Sequence, residues 1–345
     1  MARAILHPTR VSVVLPVRNA ASVLPAALHS IRHQTEPNWE LIVIDDGSTD
    51  DTKQILATSA ARDSRVRVFT TAPTGIVAAL NLGLAQAWAP LIARMDADDI
   101  SHPQRLEKQC EYLDLHPETG LVSCLVEFRA EGTSTGGYER HVTWLNSVVS
   151  PAEIRRQRFI ESPLAHPSVM FRQSMVAKYG DYHEGDFPED YELWLRWLDA
   201  GVVMAKIPDT LLTWSDRPGR LSRTDSRYSV EAFYRIKARY LANHLRRVSK
   251  GRPVWIWGAG RVTRRRAEWL LREGVDGAGW IDIDPHKMGK THAGLPVCPP
   301  QTLLSSPSPR PFVLAYVGSW DARETIAGWL NRNGFTEEQD YLLCA

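Results

Sequence analysis

The residues best suited to chemistry are carboxylates that directly follow predicted strands. Asp45 and Asp46 come after the apolar run Trp39–Ile44. A second acidic segment, Asp96–Asp99, follows the run Leu91–Met95. Ligands bind beyond the carboxyl ends of the strands in an open parallel sheet, so both acidic segments are expected at one edge. Carboxylates this close repel one another unless a cation lies among them. Mg2+ and Mn2+ fit best, because they prefer oxygen ligands such as carboxylates and phosphate groups.

Each acidic segment also has a purely structural interpretation. Asp, Gly and Ser are common in turns and at helix N-caps, so Asp45–Ser48 taken alone is equally well explained as a cap of the next helix. The second segment is harder to explain in that way. Alternate residues of an extended chain point to the same side, so Asp96 and Asp98 face one direction together. This placement at the sheet edge favours a binding site over a turn.

The elements that must position these acids follow from alternating patterns in the first hundred residues. Continuous apolar runs of strand length are typical of strands buried on both faces, and segments with helical spacing lie between them. Such alternation implies right-handed crossovers and predicts an α/β fold with a mostly parallel sheet covered on both faces. The predicted strands are Val11–Val17, Trp39–Ile44, Arg65–Thr71 and Leu91–Met95, and the predicted helices are Val23–Gln34, Asp50–Ala60 and Gly75–Ala87.

The order of these motifs resembles the family 2 glycosyltransferases. The resemblance is carried by Val11–Asn19, Leu41–Asp50 and Ala93–Asp99, with Gly75 and Asn81 at matching places before the last motif. It covers about the first 225 residues. A DxD motif alone would be weak, but several motifs in the right order make the resemblance specific. It implies the GT-A fold of nucleotide-diphospho-sugar transferases and transfer of a sugar with inversion.

The resemblance implies a role for each matching side chain. Asp45 would hydrogen-bond the base of the donor, with Asp46 beside it, and Asp96 would reach the ribose or the metal. Asp98 would coordinate the divalent ion, Mn2+ or Mg2+, that bridges the diphosphate. Arg18 departs from the family, whose members often carry an aromatic or small residue at this place. The remaining donor-side residues implied to bind substrate are Pro16, Arg18, Asn19, Gly75 and Asn81.

An inverting transfer also needs a carboxylate that takes the proton of the acceptor hydroxyl. Glu189 and Asp190 fall in the first turn of a predicted helix, Pro188–Ala200, where the helix dipole stabilises acids. That stabilisation alone also explains acids at this place, and the residues by themselves leave the two interpretations equal. The pair resembles the family's Glu-Asp motif, in which the Asp is the base. The resemblance therefore implies Asp190 as the base and Glu189 as a neighbour that orients the site or contacts the acceptor.

Two further segments are candidates for substrate contact. His166 precedes the predicted strand Val169–Phe171 and resembles a family feature, which implies a place near the acceptor, although a lone His is more often structural. The segment Trp214–Arg223 is interpreted as a loop. It either closes over the donor, with Arg217 and Arg220 on the phosphate oxygens, or lies on the surface without a ligand.

The C-terminal part starts a second alternation of strands and helices. Gly258–Gly260 follows the predicted strand Val254–Trp257 and opens a helix, which is the setting of a dinucleotide-binding fingerprint. Thr263 replaces its third glycine, and an acid suited to a ribose follows at Asp282 or Asp284. The part resembles small Rossmann-like modules, including those that precede sugar acyltransferases. Nucleotide binding, acceptor docking and assembly stay open, with a non-catalytic role favoured.

Length and composition set wider limits. A chain of 345 residues exceeds the usual size of a single core, so we expect domains 1–249 and 250–345, divided at the linker Ser249–Pro253. The formal net charge of +1 gives no electrostatic basis for binding nucleic acid. The four cysteines form no CxxC pair, which argues against a disulfide framework or a zinc site. Together with the lack of a signal segment, this predicts a cytoplasmic protein.

The leading hypothesis is a metal-dependent, inverting glycosyltransferase that uses a nucleotide sugar, with uridine as the favoured nucleotide. Its acceptor would be a saccharide or a lipid-linked precursor in polysaccharide or glycolipid synthesis, which would bring the enzyme to the membrane surface as a peripheral protein. One alternative is a nicotinamide-dependent oxidoreductase built on Gly258–Gly260. It is disfavoured because no catalytic Tyr–Lys or His–Asp pair is recognisable beside that motif. Another is a non-catalytic nucleotide-sugar-binding protein, against which the acids Asp96, Asp98 and Asp190 count.

Overall fold

The strands and helices are those of an α/β protein, as predicted. The computed structural model describes residues 9–130, 136–217, 219–305 and 309–345. The segment Gly132–Gly137, which its Gly, Thr and Ser residues predict to be a loop, lies largely outside these ranges. The strands are β1 Val11–Val17, β2 Trp39–Asp46, β3 Val66–Thr71, β4 Leu91–Arg94, β5 Ile100–Ser101, β6 Thr119–Ala130, β7 Met170–Arg172, β8 Val203–Asp216, β9 Val254–Trp257, β10 Gly277–Ile281, β11 Thr291–His292, β12 Leu295–Cys298, β13 Phe312–Ala315 and β14 Tyr341–Leu343.

The helices cover the sheets and connect their strands. They are α1 Leu24–Arg32, α2 Thr52–Arg62, α3 Ile76–Gln86, α4 Arg105–Leu115, α5 Gly136–Ser147, α6 Pro151–Gln157, α7 Gln173–Tyr179, α8 Glu189–Asp199, α9 Leu221–Thr224, α10 Val230–Val248, α11 Arg261–Arg272 and α12 Trp320–Arg332. Even α10, with 19 residues, is amphipathic and carries several charges. Across the described ranges, none of the helices combines the length and the apolar character that crossing a membrane would require.

The chain packs into two compact units. The first contains residues up to Ile154 together with Pro163–Gly185 and Arg196–Thr224, and the second contains Arg155–Ser162, Asp186–Leu195 and Asp225–Ala345. Helix α10 therefore belongs to the same unit as the C-terminal strands and helices. The division into independent domains 1–249 and 250–345 stays a prediction.

The first unit is built on a mixed, eight-stranded sheet within the described residues. Its strand order is β3-β2-β1-β4-β7-β6-β8-β5. The first four strands run parallel, whereas β7 is antiparallel to both β4 and β6, and β5 is antiparallel to β8. All seven residues of β1 are buried, as expected for a strand with helices on both faces. The chain leaves β1 toward β2 on one side and reaches β4 on the other, so the carboxyl ends of β1 and β4 flank a topological switch point.

The predicted strands and helices of the first hundred residues are confirmed, with ends that differ by at most two residues. The prediction of a loop over Trp214–Arg223 is wrong at both ends. Residues Trp214–Asp216 finish β8, which pairs with β6 along its whole length, and Leu221–Thr224 form α9. A long-range strand pairing of this kind has no local signal in the sequence.

The second unit contains a six-stranded sheet among the described residues, in the order β11-β12-β10-β9-β13-β14. All its pairs are parallel except β11 with β12. The order and direction of β12, β10, β9, β13 and β14 confirm the predicted Rossmann-like topology. The apolar run Val313–Gly318 predicts a last strand before a terminal helix. A strand is found there as β13, but it is not the last one, because β14 follows α12 and pairs with β13. This sheet also has a switch point, between β9 and β13.

Candidate active site

The two acids that end β2 have different surroundings. Asp45 is fully buried and lies level with Val17 of β1 in the parallel register. Its Oδ1 accepts a hydrogen bond from the Ser48 amide over 3.0 Å. Its Oδ2 has no hydrogen-bond partner among the described residues. A buried carboxylate oxygen of this kind can accept a donor group from a ligand, as a role in base recognition would require.

Asp46 holds the start of helix α3. Its Oδ1 accepts from the Thr74 amide over 2.6 Å and its Oδ2 accepts from the Gly75 amide over 3.0 Å. Gly75 is the N-cap of α3 and has a φ of 94°, in the region that favours glycine. The interpretation of Asp45–Ser48 as a cap of the next helix is therefore wrong, because the N-cap of α2 is Asp51 and Asp46 binds the start of α3 instead. The substrate contacts assigned to Asp46 and Gly75 stay predictions.

The loop after β1 is tied to the loop after β2. Pro16 is buried within β1, and Arg18 and Asn19 are exposed beyond it. The Asn19 amide donates to the Ser48 hydroxyl over 2.9 Å, and the Thr49 amide donates to Asn19 Oδ1 over 2.8 Å. Both loops thus lie at the carboxyl edge of β1 and β2 as one surface. Binding of the nucleotide by Pro16, Arg18 and Asn19 stays a prediction.

Three carboxylates after β4 converge. Asp96, Asp98 and Asp99 each offer an oxygen, and the three oxygens lie within 4.8 Å of one another. Burial raises the pKa of Asp98, and the charge of Asp96 raises it further. Burial also raises the pKa of Asp99 well above its usual value, with further contributions from Asp96 and Asp98. A hard divalent cation would relieve this repulsion with the oxygen ligands it prefers, so the donor set fits Mg2+ or Mn2+.

Asp99 is a site residue to which the sequence gives no role of its own. It is fully buried, and its Oδ1 accepts from the Ser215 amide of β8 over 2.8 Å. Its Oδ2 has no hydrogen-bond partner within the part of the chain that the structure describes. The pair Asp98-Asp99 marks it in the motif, but its orientation depends on β8.

Cationic and aromatic side chains lie beside the acidic cluster. The guanidinium of Arg220 lies 5.2 Å from the centre of the Trp214 ring. Its charge acts on both Asp98 and Asp99 and lowers their pKa values, partly opposing their burial. Its Nη1 is buried and has no hydrogen-bond partner over the described ranges. A buried donor this close to carboxylates that suit a metal is well placed for a phosphate oxygen.

Tyr138 of α5 completes this aromatic group and is missing from the sequence-based predictions. Its ring lies 5.6 Å from that of Trp214 and 4.9 Å from that of Phe128. Burial raises its pKa, so the hydroxyl stays protonated at neutral pH. Arg217, the other predicted phosphate ligand, is half-buried in the connection after β8, and its role stays a prediction.

His166 and Asn81 both contact Tyr182. Nε2 of His166 lies 2.8 Å from the Tyr182 hydroxyl, and burial lowers the pKa of His166 well below its usual value. The Asn81 side chain donates to the Tyr182 carbonyl over 2.8 Å and accepts from its amide over 3.0 Å. These contacts give both residues a structural function. Their predicted contacts with substrate stay predictions.

A cavity of about 660 Å³ lies at a different place in the first unit. Its lining includes Asn81, Leu91, Arg172 and Asp181. Leu91 is the first residue of β4, whereas the acidic cluster follows the last one, so the cavity opens near the opposite edge of the sheet. The guanidinium of Arg172 already donates to the carbonyls of Thr119 and Leu113. The cavity therefore lies away from the predicted donor site.

Glu189 and Asp190 open helix α8, as predicted, in the part that packs with the second unit. Glu189 is almost completely buried, and its Oε2 accepts a hydrogen bond from the Tyr228 hydroxyl over 2.7 Å. Burial and the charges of Glu189 and Asp190 raise the pKa of Tyr228. Tyr228 has no motif around it, so sequence reasoning misses it. The catalytic role of Asp190 stays a prediction.

The glycine motif of the second unit has the predicted strand–turn–helix setting. Gly258 has a φ of 118°, and a Cβ there would lie 2.8 Å from the methyl group of Thr263. Asp282 Oδ2 accepts from the Ala259 amide over 2.8 Å and from Lys287 Nζ over 3.0 Å. Asp284, the other candidate for a ribose contact, accepts from the His286 amide over 3.0 Å, so the chain itself uses both carboxylates. This geometry counts against the oxidoreductase alternative.

Comparisons with known proteins agree on one family. The family described as "Glycosyl transferase family 2" matches residues 12–180, which include the acids after β2 and β4. The amylovoran biosynthesis glycosyltransferase AmsE of Erwinia amylovora is 32% identical over 191 residues, 55% of this chain and 69% of the relative. The putative glycosyltransferase EpsE of Bacillus subtilis is 30% identical over 228 residues, 64% and 78% of the two chains.

A third relative and a solved structure extend this picture. A UDP-Gal:alpha-D-GlcNAc-diphosphoundecaprenol beta-1,3-galactosyltransferase of Escherichia coli is 29% identical over 203 residues, 59% of this chain and 72% of the relative. Residues 1–349 of S. aureus TarS, solved with UDP-GlcNAc, superpose with a TM-score of 0.53 at 18% identity, covering 76% and 71% of the two chains. At that identity the likeness supports the fold, which is of the predicted GT-A type.

Proposed function

Because the chain belongs to the glycosyl transferase family 2, we propose that it transfers a sugar, with inversion, from a nucleotide-diphosphate donor to an acceptor hydroxyl. The observation that carries the proposal is the acidic cluster Asp96, Asp98 and Asp99 with the Arg220 guanidinium beside it. Carboxylates can hold a divalent cation, and the guanidinium can bind phosphate oxygens. Together they suit a diphosphate at the switch point of the first sheet.

In this proposal, side chains of the first unit bind the donor. Asp98 and Asp96 would hold a divalent cation, Mn2+ or Mg2+, with Asp99 as a third oxygen ligand. The cation would supply Lewis-acid neutralisation of the charge on the leaving diphosphate. Asp45 accepts a hydrogen bond from the base with its unpartnered Oδ2, and Arg220 binds a phosphate oxygen. Arg220 and the cation would stabilise the negative charge that develops on the diphosphate during transfer.

Asp190 is the general base. The acceptor oxygen attacks the anomeric carbon from the face opposite the diphosphate, and its proton passes to the Asp190 carboxylate. The bond between the anomeric carbon and the diphosphate oxygen breaks, and its electron pair leaves with the nucleoside diphosphate. Attack and departure on opposite faces invert the anomeric configuration. The support for this role is the match of Glu189 and Asp190 to the family's Glu-Asp motif.

We propose a UDP-sugar as the donor, because the galactosyltransferase relative is named for UDP-Gal. The acceptor in this proposal is a saccharide or a lipid-linked saccharide of a polysaccharide or glycolipid pathway, since relatives are named for amylovoran biosynthesis and for a diphosphoundecaprenol acceptor. A lipid-linked acceptor would bring the protein to the membrane surface from the cytoplasm, where we place it.

The experiment is a transfer assay with the full-length protein and a panel of nucleotide sugars. Each donor is incubated with Mn2+ and with polyprenyl-diphosphate-linked or free saccharides, and release of nucleoside diphosphate is measured with and without the acceptor. We expect acceptor-dependent release for one donor, and a product of inverted configuration by NMR. Lack of turnover across the panel with a protein that binds UDP would favour a non-catalytic nucleotide-sugar-binding protein. A product of retained configuration would refute the proposed mechanism.

A further inference from the structure

The second unit holds a cluster of cationic side chains around Tyr234 of α10. Lys237 Nζ lies 3.7 Å from the centre of the Tyr234 ring, and the Arg266 guanidinium of α11 lies 4.7 Å from it. The charges of Arg266 and Arg323 both act on Lys237. Burial lowers the pKa of Lys237 to about 7. Cations this close together repel one another, and their partial burial removes hydration that would weaken the repulsion. The arrangement is unfavourable unless an anion binds beside them.

Arg323 is the most informative member of the cluster. Its side chain is 6% exposed, and its Nε has no hydrogen-bond partner among the residues that the structure describes. Arg323 is the fourth residue of α12, and helical side chains point back toward the helix N-terminus. Its guanidinium accordingly lies 4.6 Å from the ring of Trp320, the first residue of the helix. The unpartnered Nε of Arg323 thus belongs to a buried guanidinium beside the side chain of the first residue of α12.

The first turn of α12 offers further donors. Its N-cap is Ser319, whose side chain makes no capping hydrogen bond within the described part of the chain. The first amides of a helix have no intrahelical acceptor and carry the positive end of the dipole. Ser319 and Gly318 are exposed at the carboxyl end of β13, beside the switch point of the second sheet. An anion can reach this turn from solvent.

Gly318 makes room for the second arginine. A Cβ at Gly318 would lie 3.2 Å from Nη1 of Arg266, closer than an ordinary contact. The same Nη1 donates to the Tyr234 hydroxyl over 3.3 Å. Arg266 of α11 thus contacts Tyr234 close to Gly318, and the charge of Arg323 of α12 acts on the same tyrosine. The glycine motif at Gly258 offers no comparable place, because Asp282 puts a carboxylate against the Ala259 amide.

We propose that the second unit binds a phosphate-bearing ligand at the first turn of α12, held by Arg323, Arg266 and the amides after Ser319. The opposing charges are Asp321 in the same turn, Glu161, and Glu324 on the next residue, all of them exposed. A phosphate dianion matches the arginine pair better than these scattered carboxylates do, since it can accept from both guanidinium groups and the amides together. The site is independent of the acidic cluster of the first unit.

The test is calorimetric titration of the full-length Asp98→Ala variant with pyrophosphate in EDTA, conditions that remove the proposed metal-dependent donor site. We expect saturable binding, weakened at least tenfold by Arg323→Met and by Arg266→Met. Gly318→Ala should also weaken it, by displacing the Arg266 guanidinium without changing charge. Arg332→Met, at the other end of α12, is the matched control and should bind as the parent does.

A second titration series identifies the source of the phosphate. Under the same conditions, UDP and ADP replace pyrophosphate. Binding tighter than that of pyrophosphate indicates a nucleotide ligand, and equal binding indicates that the phosphate group alone is recognised. Absence of pyrophosphate binding, or equal affinity in the parent, Arg266→Met and Gly318→Ala proteins, would overturn the proposal. The Gly318→Ala variant keeps the test valid if Arg323→Met does not fold.

Discussion

The hydroxyl of Tyr228 donates a hydrogen bond to Oε2 of Glu189 over 2.7 Å. Glu189 is 2% exposed and precedes Asp190 in the first turn of α8. Burial and the two carboxylates raise the pKa of Tyr228, so its hydroxyl remains a donor at neutral pH. The bond fixes the carboxylate of Glu189 beside the proposed base. Tyr228 is therefore a positioning residue in our account.

Replacing Tyr228 by Phe should lower kcat about tenfold, because Glu189 loses the donor that orients it. The KM for the donor should change little, since donor binding is assigned to the first unit. The control is Tyr240→Phe, which removes the corresponding bond from Tyr240 to Glu192 of the same helix. Steady-state kinetics of both variants test this. Equal losses in the two variants would assign Tyr228 a purely structural function.

Replacing Asp190 by Asn should lower kcat by about 10² to 10⁴, the usual range for loss of a general base. The amide keeps the size of the side chain but cannot take the acceptor proton. Binding of UDP should be unchanged by calorimetry. Asp199→Asn, at the last residue of α8, is the matched control and should remain active. Full activity of Asp190→Asn would exclude it as the base.

Replacing Arg220 by Met should lower kcat/KM about tenfold or more, because a charge-assisted hydrogen bond to the leaving diphosphate is lost. The Arg220→Lys variant should keep only part of the wild-type kcat/KM, since an ammonium lacks the planar fork of a guanidinium. Arg140→Met on the exposed face of α5 is the control. Kinetics with saturating acceptor provide the measurement. An unchanged kcat/KM in the Arg220→Met variant would exclude Arg220 as a ligand of the donor diphosphate.

The stability of the protein should depend on pH through Lys206. Burial lowers its pKa to about 7, and its ammonium donates to the Pro163 carbonyl over 3.1 Å. Between about pH 7 and the ordinary value near 10.4, the unfolded chain binds this proton more tightly than the folded chain, so folding becomes more favourable as pH rises. Below pH 7 Lys206 is protonated in both the folded and the unfolded chain, and the free-energy cost of burying its charge is fully present.

The free energy of unfolding of the wild type should accordingly rise faster with pH than that of Lys206→Met, by at most about 1.4 kcal/mol per pH unit. Urea unfolding at pH 7, 8 and 9 measures the difference. Lys108→Met, which removes a partly exposed lysine paired with Asp209, should keep the wild-type slope. Identical slopes for the wild type and Lys206→Met would contradict the lowered pKa.

The sequence predicts the carboxyl edge of the first sheet well because its signals are local. Largely apolar runs mark β1, β2 and β4, and the acids end β2 or follow β4 within a few residues. The neighbours of those acids come from far along the chain. Asp99 is oriented by Ser215, and Tyr138 reaches Trp214, through the pairing of β6 with β8. Tyr228 contacts Glu189 across 39 positions. Such contacts depend on tertiary packing, which no spacing pattern encodes.

Calorimetric titration of UDP with Mn2+ and with EDTA tests the central claim most directly, which is that the acids after β4 hold a cation and through it a diphosphate. We expect the wild type and the control Asp114→Ala, an exposed acid of α4, to bind UDP at least tenfold more tightly with Mn2+. Asp98→Ala should bind equally weakly in both buffers. Equal UDP affinity of the wild type with and without the metal, or an unchanged metal effect in Asp98→Ala, would contradict the account.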